Sequence, residues 1–538
     1  ASRHAAGARE GAAGGVECRR KMPLGPSRHR PHAEGEARGP MVTETALETY
    51  QMRIGSEWRG AGDGATRPVV NPATGEAFAE VPEATIEDAH GALEAAERAQ
   101  PEWEALPGIE RAAYVNRIVE LIRESFDRLA RVVVREQGKP LHEAEGEING
   151  TIGFFEYFTT FARGQVGEIM AADNPDEDIW VRNVPYGVVV GIIPWNYPAA
   201  LFARKVAPAL MAGNAIVIKP HEDTPLSSLE LARLCEEAGV PPGVVNVVTG
   251  KGTVVGESMV RDPITQLVTV TGSVRAGREI LRAAAENITV VSLELGGKAP
   301  FIVMEDADLD LAVGNALTAR FLNNGQVCTC NERTYVQRRL FDQFVERFVE
   351  RASKLRLGDP MDRATDLGPK VNQIELEKIA RMVDQARDEG AQVVLGGRRP
   401  EGDRFQRGYW YEPTVLTNVR NDMEIMQKEV FGPILPVMPF DDFEEAIRLA
   451  NDTRYGLSAY LFTGDLRRAM RAVQAVRFGE VYINKIGPEQ LQGFHTGYGL
   501  SGMGGDDGPH GLDHYFRRKT VYLNYGDASG RLMPYSQA

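Results

Sequence analysis

The sequence has few cysteines, no long apolar run and no excess of positive charge, and each shortage excludes a class of protein. Its four cysteines among 538 residues are too few and too scattered for a disulfide framework, which favours a reducing compartment. No apolar run approaches the roughly 18 residues that span a bilayer, so we expect a soluble, cytoplasmic protein without a membrane partner. The net charge of −14 argues against a nucleic acid as partner. Cysteine and histidine do not cluster at zinc spacing, so we expect no metal.

The first 40 residues differ from the rest in charge and composition. They contain eight Lys or Arg and four Asp or Glu, a charge of +4, whereas the remaining 498 residues carry −18. The segment is rich in glycine, proline, arginine and histidine and lacks the apolar core of a signal peptide. An arginine-rich transit peptide is one interpretation. A disordered leader, with Met41 as the natural first residue, is the interpretation that we adopt.

Beyond this leader, the apolar pattern predicts an α/β fold. Amphipathic patterns predict helices over 109–137 and 141–163, broken at Gly138-Lys-Pro140, and Thr224-Pro225 predicts an N-cap with proline at the first helical position. From residue 186 onward, short apolar strands alternate with helices, which is typical of parallel sheets covered on both faces.

The alternation begins again after Gly296-Gly297, which predicts two α/β domains. An exposed hairpin with a C-terminal strand predicts a small β element that pairs with another copy, in a homodimer or homotetramer. The predicted parts are a Rossmann-like parallel-sheet cofactor domain (41–163 and 186–297), a catalytic domain (298–500) and the oligomerisation element (164–185 and 501–530).

Cys328 follows a polar loop, Asn323-Asn-Gly-Gln326, which comes after a predicted helix over 309–322. A thiolate with open access is a useful nucleophile, and a loop of this kind can present one. An arbitrary cysteine is more often a buried, inert thiol, so the assignment depends on what accompanies it.

Glu294 and Asn196 each follow an apolar strand, at the end where parallel sheets bind ligands. Glu294 stands beside two glycines and can act as a general base, although such a glutamate more often caps a loop or forms a salt bridge. Asn196, in a turn stiffened by two prolines, can donate a hydrogen bond to a developing oxyanion or can satisfy its own turn.

Lys219 and Glu222 end the next strand and suit the hydroxyls of a ribose. A carboxylate there would repel a 2′-phosphate, which favours NAD over NADP. A solvated ion pair is the alternative.

Three further stretches are weaker cofactor candidates. Gly252 and Gly256 lie in a strand-to-helix link that lacks the dinucleotide-binding spacing of glycines. Thr271-Gly-Ser273 opens a helix, where it can hold a pyrophosphate or form an ordinary N-cap. Glu429 can reach a second ribose or cap a loop.

Taken together, these motifs resemble the NAD(P)-dependent aldehyde dehydrogenases over essentially all of 41–526. Asn196, Glu294 and Cys328 each stand in a matching motif. The resemblance is greatest to the lactaldehyde/glycolaldehyde dehydrogenase branch, through the stretches 97–106, 325–330 and 491–495. It implies oxidation of a short 2-hydroxy aldehyde to its acid through a cysteine thioester. Asn196 would hold the oxyanion and Glu294 would activate water.

The resemblance also implies two sets of binding residues. The NAD site would comprise Pro194, Trp195, Lys219, Glu222, Gly252, Gly256, Thr271, Gly272, Ser273, Glu429 and Phe431. The substrate site would comprise Arg204, Thr329, Glu489 and His495. Arg204, Glu489 and His495 are either polar anchors for a hydroxylated aldehyde or a charge network that lines a channel.

The sequence departs from the family after Ser501-Gly-Met-Gly, where Arg-Glu is usual and Gly505-Asp-Asp507 stands instead. Either Asp506 or Asp507 can replace that glutamate. Cys330 is either an oxidation partner for Cys328 or a packed thiol.

Three alternatives stay open. The chain can be a CoA-acylating dehydrogenase, or a semialdehyde dehydrogenase in which Arg204 pairs with a distal carboxylate. It can also be a non-catalytic nucleotide-binding protein that keeps the same fold.

Overall fold

A computed structural model describes residues 47–164 and 167–526, so the predicted leader lies outside the described residues. Within these ranges, no helix combines the length and the apolar character needed to cross a membrane.

The strands are β1 Glu48–Thr49, β2 Met52–Ile54, β3 Glu57–Arg59, β4 Thr66–Asn71, β5 Glu76–Pro82, β6 Glu168–Ala171, β7 Glu177–Pro185, β8 Val188–Ile192, β9 Ala215–Lys219, β10 Val245–Val247, β11 Leu267–Thr271, β12 Val290–Glu294, β13 Ala299–Val303, β14 Asn331–Gln337, β15 Gln392–Leu395, β16 Thr414–Thr417, β17 Ile434–Phe440, β18 Ser458–Phe462, β19 Glu480–Ile483, β20 Gly502–Met503 and β21 Phe516–Asn524. The α-helices are α1 Ile86–Ala105, α2 Gly108–Glu124, α3 Phe126–Gln137, α4 Leu141–Thr159, α5 Pro198–Ala212, α6 Leu226–Glu237, α7 Glu257–Arg261, α8 Val274–Ala284, α9 Leu309–Phe321, α10 Arg338–Ala352, α11 Gln373–Asp388, α12 Glu424–Gln427, α13 Phe443–Asn451, α14 Leu466–Ala475 and α15 Gly508–Asp513.

The first large sheet has eight strands in the order β20-β12-β11-β8-β9-β10-β2-β3. Strands β12, β11, β8, β9 and β10 run parallel, and antiparallel pairings add β20 at one edge and β2 and β3 at the other. Every residue of β9 is buried, because helices cover both faces of the sheet. The predicted α/β architecture with a parallel sheet is confirmed.

The second large sheet has seven strands in the order β15-β16-β17-β14-β13-β18-β19. All its pairings are parallel except that of β15 with β16. Only four residues, 295–298, connect β12 of the first sheet to β13 of the second. The short connection places the carboxyl end of β12 next to the loop that enters β14 from α9.

A three-stranded sheet, β21-β7-β6, joins the hairpin to the C-terminal strand. Strand β21 pairs with β7 from Phe516 opposite Pro185 to Asn524 opposite Glu177. Strand β20, near the start of the predicted segment 501–530, pairs with β12 and extends the first large sheet. A further three-stranded sheet, β1-β5-β4, lies near the start of the described chain.

Two local predictions were wrong. The helix predicted over 109–137 is two helices, because the backbone of Ser125 leaves the helical region (φ −99°, ψ 8°) while the apolar spacing continues on both sides. Helix α6 has Pro225 as its N-cap, one residue later than predicted, and the Thr224 hydroxyl is buried without a hydrogen bond. The Glu136 carboxyl group, on α3, accepts from the first amides of α6, at 2.7 Å from that of Leu226. Such a cap from another helix has no local sequence signal.

Candidate active site

The loop before Cys328 consists of backbone conformations that most residues avoid. Asn323, Asn324 and Gly325 have φ of 49°, 54° and 71°, and asparagine and glycine adopt this left-handed region most readily. A Cβ at Gly325 would lie 2.3 Å from the carbonyl oxygen of Gly432, so only glycine fits there. The loop ends α9 and brings a partly exposed Cys328 to the wall of a cleft.

Cys330 has a different environment from Cys328. It is buried, the Arg320 guanidinium donates to its sulfur at 2.5 Å, and burial raises the pKa of its thiol to about 12. Of the two interpretations, the packed thiol fits this environment.

The Asn196 turn lies directly against the Cys328 loop. The Asn196 side-chain amide donates to the carbonyl oxygen of Gln326 at 3.0 Å. Its main-chain oxygen accepts from the Asn323 amide and from the Lys139 ammonium, both at 2.9 Å. The two stretches therefore form one hydrogen-bonded wall, which contains both Asn196 and Cys328.

A buried ion pair fixes this turn from behind. The Lys139 ammonium lies 2.6 Å from the Glu147 carboxylate and 3.6 Å from the centroid of the Tyr197 ring. Glu147 also accepts from the amide of Ala199 at 2.8 Å, at the start of α5. The pair thus holds both the turn and the helix that follows it.

Glu294, at the end of β12, is buried, and neither of its carboxyl oxygens has a hydrogen-bond partner among the described residues. Burial raises the pKa of Glu294 to about 8, although His495, with Nε2 at 3.5 Å from Oε2, opposes the rise. A carboxyl group with free oxygens that titrates near neutral pH is available as a base. Its geometry matches neither a loop cap nor a close salt bridge.

His495 lies between two carboxyl groups at the wall of the cleft. Its Nδ1 lies 3.0 Å from Glu480, and its Nε2 lies 3.5 Å from Glu294. Two 2.9 Å main-chain hydrogen bonds with Asp506 fix its backbone. Burial disfavours the imidazolium, but Glu480 and the other groups around the ring together raise the pKa of His495 well above its usual range.

Arg204, on α5, is buried against two carboxylates. Its Nε donates to Asp507 at 2.9 Å and one Nη donates to Glu489 at 2.6 Å, with a further contact to Asp507. Burial alone would raise the pKa of Glu489, but Arg204 and His495, with a backbone hydrogen bond, together lower it to about 2. Arg204 therefore belongs to a charge network in the cleft wall, and its charge is already compensated.

The neighbouring residue, Lys205, forms a separate buried pair with Asp506 at 2.6 Å. The two aspartates thus have different partners, Asp506 with Lys205 and Asp507 with Arg204. Lys205 also contributes to the electrostatic environment of Glu294, where it opposes the rise in pKa.

One cleft of about 750 Å³ brings most of the predicted site residues together. The predicted residues that line it are Pro194, Trp195, Asn196, Arg204, Thr271, Gly272, Ser273, Glu294, Cys328, Thr329, Glu429, Phe431, Glu489 and His495. Lys219, Glu222, Gly252 and Gly256 are not in its wall.

Three of these four residues form a cluster of their own beyond the end of β9. The Lys219 ammonium lies 3.1 Å from the Glu222 carboxylate, which also accepts from the amide of Gly252 at 2.5 Å. Burial alone would raise the pKa of Glu222, but Lys219, His221 and the amide of Gly252 together lower it to about 2. The pair is not fully solvated, since Lys219 is buried.

The segment from Thr271 to Ser273 has features that fit a dinucleotide. The Thr271 hydroxyl is a buried polar atom that has no hydrogen-bond partner in the part of the chain that the structure describes, and Thr271 borders the cleft. Gly272 leaves open space in front of α8, because a Cβ there would meet nothing closer than 3.9 Å. The Ser273 hydroxyl accepts from the amide of Ala276 at 3.2 Å, so this side chain is an N-cap.

Glu429 and Phe431 also line the cleft. The Glu429 carboxyl group accepts from the amide of Gly297 at 2.7 Å, and burial raises its pKa to about 7. It therefore caps the connection between the two large sheets. The Phe431 ring meets Trp195 edge-on at 5.3 Å, which closes the wall beside Pro194.

Four charged residues of the site were absent from the sequence-based prediction: the buried Lys139, Glu147 and Lys205, and the half-buried Glu480. Lys139 was interpreted only as part of a helix break, and nothing local indicates its pairing with Glu147. Lys205 had a signal, because Arg204-Lys205 and Asp506-Asp507 are adjacent pairs of opposite charge.

Comparison with known proteins gives consistent matches along the chain. The model of the aldehyde dehydrogenase family matches residues 58–521. A 3,6-anhydro-alpha-L-galactose dehydrogenase of Streptomyces coelicolor is 52% identical over 88% of this chain and 96% of that protein. Lactaldehyde dehydrogenase of Escherichia coli is 47% identical over 87% of this chain and 96% of that protein. A solved structure of 3,6-anhydro-L-galactose dehydrogenase in complex with NAP has a TM-score of 0.87 and 49% identity, covering 89% of this chain and 100% of that chain.

Proposed function

Because the chain belongs to the aldehyde dehydrogenase family, we propose that it oxidises a short 2-hydroxy aldehyde, such as lactaldehyde or glycolaldehyde, to the carboxylic acid. The observation that carries the proposal is the meeting of Cys328, Asn196 and the unpartnered Glu294 at one cleft. A second candidate substrate is 3,6-anhydro-L-galactose, favoured by the 52% identity to an enzyme named for it. Its open form also has a hydroxyl group next to the aldehyde.

The first chemical step is attack of the Cys328 thiolate on the aldehyde carbon, which gives a tetrahedral thiohemiacetal. The Asn196 amide and the backbone N–H of Cys328 donate to its oxyanion. Asn196 suits this role because its amide is rigidly fixed and has two hydrogens, one of which bonds to Gln326. When bound, NAD supplies the hydride acceptor that converts the thiohemiacetal into a thioester.

The second step is hydrolysis of the Cys328 thioester. Glu294 removes a proton from a water molecule, the water oxygen bonds to the acyl carbon, and the carbon–sulfur bond breaks to release the acid and the thiolate. The free oxygens of Glu294 and its pKa of about 8 support this assignment. Hydrolysis through Glu294 also argues against CoA as the acyl acceptor.

We assign NAD as the cofactor of this enzyme, and a solved relative that is 37% identical, betaine aldehyde dehydrogenase from Staphylococcus aureus, is in complex with NAD+. Lys219 and Glu222 would bind ribose hydroxyls, and the ionised Glu222 carboxylate disfavours the 2′-phosphate of NADP. Gly272 and the N-terminus of α8 would receive the pyrophosphate, since backbone amides at a helix start attract anions. Trp195 and Phe431 would enclose the end of the cofactor that enters the cleft.

The polar end of the cleft supports a hydroxylated substrate. His495, Glu489 and Arg204 border the same space as Cys328, and Thr329 lies beside them. A hydroxyl group on the aldehyde can hydrogen-bond to this polar wall, whereas an aldehyde without one would displace water from the wall without replacing its hydrogen bonds, which costs binding energy. In this proposal Arg204, Glu489 and His495 form the charge network of the cleft wall and also anchor the hydroxylated substrate.

The network also disfavours a semialdehyde. Arg204 already contacts Asp507 and Glu489, so the three side chains together carry more negative than positive charge. A distal carboxylate on the substrate would have to displace one of these carboxylates or approach both.

The β6-β7-β21 sheet supports self-association as a homodimer or homotetramer. Its apolar side chains are unusually exposed: Ile169 is 78% exposed and Tyr522 is also 78% exposed. Both outer strands of the sheet, β6 and β21, are open to pairing with a second copy.

We predict that glycolaldehyde and lactaldehyde are oxidised with kcat/KM at least about tenfold above that of propionaldehyde, since one hydrogen bond to a charged group contributes about 1.5–3 kcal/mol. NADH formation with each aldehyde, with NAD or NADP and with or without CoA, measures this. We expect NAD to support turnover in the absence of CoA. The rate with open-chain 3,6-anhydro-L-galactose tests the second candidate substrate.

Equal kcat/KM for propionaldehyde and for the two 2-hydroxy aldehydes would contradict the proposed polar pocket. NADH production by Cys328→Ala would contradict the assignment of Cys328 as the nucleophile.

We predict that Glu294→Gln forms one equivalent of NADH per site and then stalls, because the amide cannot take a proton from water. Rapid mixing with NAD and glycolaldehyde measures the burst and the steady rate. In the wild type, thioester hydrolysis should become faster as the pH rises through about 8, where Glu294 loses its proton. Glu102→Gln, the same change at an exposed glutamate of α1, should keep full turnover. Undiminished steady turnover in Glu294→Gln would rule out this base.

We predict that Asp507→Asn raises kcat/KM for succinic semialdehyde and lowers it for glycolaldehyde, shifting the ratio by about tenfold or more, because removal of one negative charge frees part of Arg204. Asp513→Asn, an exposed aspartate that pairs with Arg518, is the matched control and should leave the ratio unchanged. An unchanged ratio in Asp507→Asn would mean that Asp507 does not control the charge preference.

We predict that Ile169→Lys shifts the protein towards the monomer, because a lysine on β6 places a charge in the proposed contact. Light scattering after size-exclusion chromatography measures the mass. Ile374→Lys, at a comparably exposed isoleucine on α11, should keep the wild-type mass. A monomeric wild type, or an unaltered mass in Ile169→Lys, would refute the assignment of this sheet.

A further inference from the structure

Glu332 is a buried carboxylate to which the proposed reaction gives no part. It lies near the start of β14, four residues after Cys328. Its Oε2 accepts from the amide of Val430 at 2.8 Å, and its Oε1 accepts from the amide of Phe431 at 3.0 Å. Both of its oxygens are therefore bound to the loop 429–431, which carries two of the predicted NAD-binding residues.

Two buried cations fix the position of this carboxylate. The Lys298 ammonium lies 2.8 Å from Oε2 of Glu332 and also donates to the carbonyl oxygen of Ile425 at 2.9 Å. The Arg320 guanidinium lies 3.3 Å from Oε1 and also donates to the carbonyl oxygen of Gly325 at 3.0 Å. Because both cations have backbone partners of their own, they leave the carboxylate little freedom to move. Burial alone would raise the pKa of Glu332, but the two cations and one of its amide donors together lower it to about 2, so it is ionised.

The backbone of Phe431 adopts a conformation that a bulky residue avoids unless its surroundings impose it. Its φ is 56°, in the left-handed region. Its N–H is held by Glu332, and its carbonyl oxygen accepts from the buried ammonium of Lys370. In this conformation the Phe431 ring meets Trp195 edge-on at 5.3 Å in the wall of the cleft. Two charged side chains therefore impose the backbone conformation on which this part of the wall depends.

We propose that Glu332 is a positioning residue for the cofactor, whose carboxylate holds the loop 429–431 in the conformation that binds NAD. The inference rests on the proposed function, because it takes Glu429 and Phe431 as contacts of NAD. Successive backbone N–H groups of a turn form a concavity that binds an anion. Here the anion is a side chain of the protein itself, so the loop is shaped before NAD binds. Glu332 is not among the residues that line the cleft, and it acts through the loop.

The alternative role for Glu332 is compensation of the charges of Lys298 and Arg320 without any effect on the cofactor. The two roles differ in what a shorter side chain does. Aspartate at this position keeps a negative charge beside the cations, but it is one methylene group too short to reach the cations and both amides at once. Glutamine keeps the length and loses the charge. Positioning requires both the length and the charge, whereas charge compensation requires only the charge.

The test is the dissociation constant of NAD, measured by isothermal titration calorimetry on the full-length protein without aldehyde. We expect Glu332→Asp and Glu332→Gln each to raise this constant by about tenfold or more, because the loop then spends most of its time outside the binding conformation. In steady-state assays the KM for NAD should rise in parallel. The KM for glycolaldehyde should stay within about twofold, since the substrate end of the cleft is unaltered.

The matched control is Glu424→Gln on α12, where the carboxylate pairs with the exposed Lys428 at 2.8 Å. This variant should bind NAD like the wild type. Unfolded protein lowers the number of NAD sites in the titration but does not change the dissociation constant of the folded sites, so instability alone does not produce the expected result. Wild-type affinity for NAD in Glu332→Asp would overturn the proposal and leave charge compensation as the role of Glu332.

If neither variant folds, amide hydrogen exchange of the wild type decides. The peptide that contains Val430 and Phe431 is followed by mass spectrometry with and without NAD. We expect these two amides to be protected before NAD is added, although they lie in a loop, because Glu332 already holds them. Rapid exchange without NAD and protection only in its presence would overturn the proposal, since NAD rather than Glu332 would then shape the loop.

The same measurements separate this inference from the proposed function. A protein whose affinity for NAD depends on Glu332, but which forms no NADH from any aldehyde, would refute the function and leave the positioning role standing. A protein that oxidises 2-hydroxy aldehydes with an affinity for NAD that is independent of Glu332 would do the reverse.

Discussion

The site depends on the hydrogen bonds accepted by one main-chain oxygen, that of Asn196. The Lys139 ammonium and the Asn323 amide both donate to it at 2.9 Å, so this atom ties the break between α3 and α4, the turn after β8 and the Cys328 loop to one point. A hydrogen bond from a charged donor contributes about 1.5–3 kcal/mol. Burying the ammonium costs a comparable amount, which its contact with Glu147 offsets. The Lys139–Glu147 pair therefore mainly fixes the position of the Asn196 turn and adds little to the stability of the folded protein.

Close backbone approach places the sulfur and the base in the same cleft. A Cβ at Gly297 would lie 2.3 Å from the carbonyl oxygen of Cys328, so the loop can pass the connection between the two large sheets only because that residue is glycine. Gly296 is restricted in the same way by Glu429, which holds the connection through the amide of Gly297. Glu294 stands two residues before this crossing. The parallel sheets thus deliver groups at their carboxyl ends, and glycine brings the two ends together.

The sequence predicted those features of the fold and the site that a local pattern of residues determines. Strand β9 ends at Lys219, where the sequence predicts a strand end, because the apolar residues before it fit a doubly covered strand. Cys328, Asn196 and Glu294 stood out because each follows a predictable element at a ligand-binding edge. Contacts between distant stretches, such as that of Glu136 with α6, left no local signal. Ser273 and Glu429 had two interpretations each, and only the structure shows that their polar atoms make the N-cap and the loop cap.

The turn that carries the two aspartates shows how the polar end of the cleft is kept in place. Asp507 adopts a φ of 65°, a conformation that costs a non-glycine residue about 1–3 kcal/mol unless its surroundings impose it. What imposes it is the doubled pairing with α5, where Arg204 binds Asp507 and Lys205 binds Asp506. Buried pairs of this kind add little net stability, because desolvation offsets the attraction. Breaking one of them, however, leaves a charge without a partner. The strain and the paired charges are therefore best explained by the position they impose on the carboxylates and on His495, which is hydrogen-bonded to the same turn.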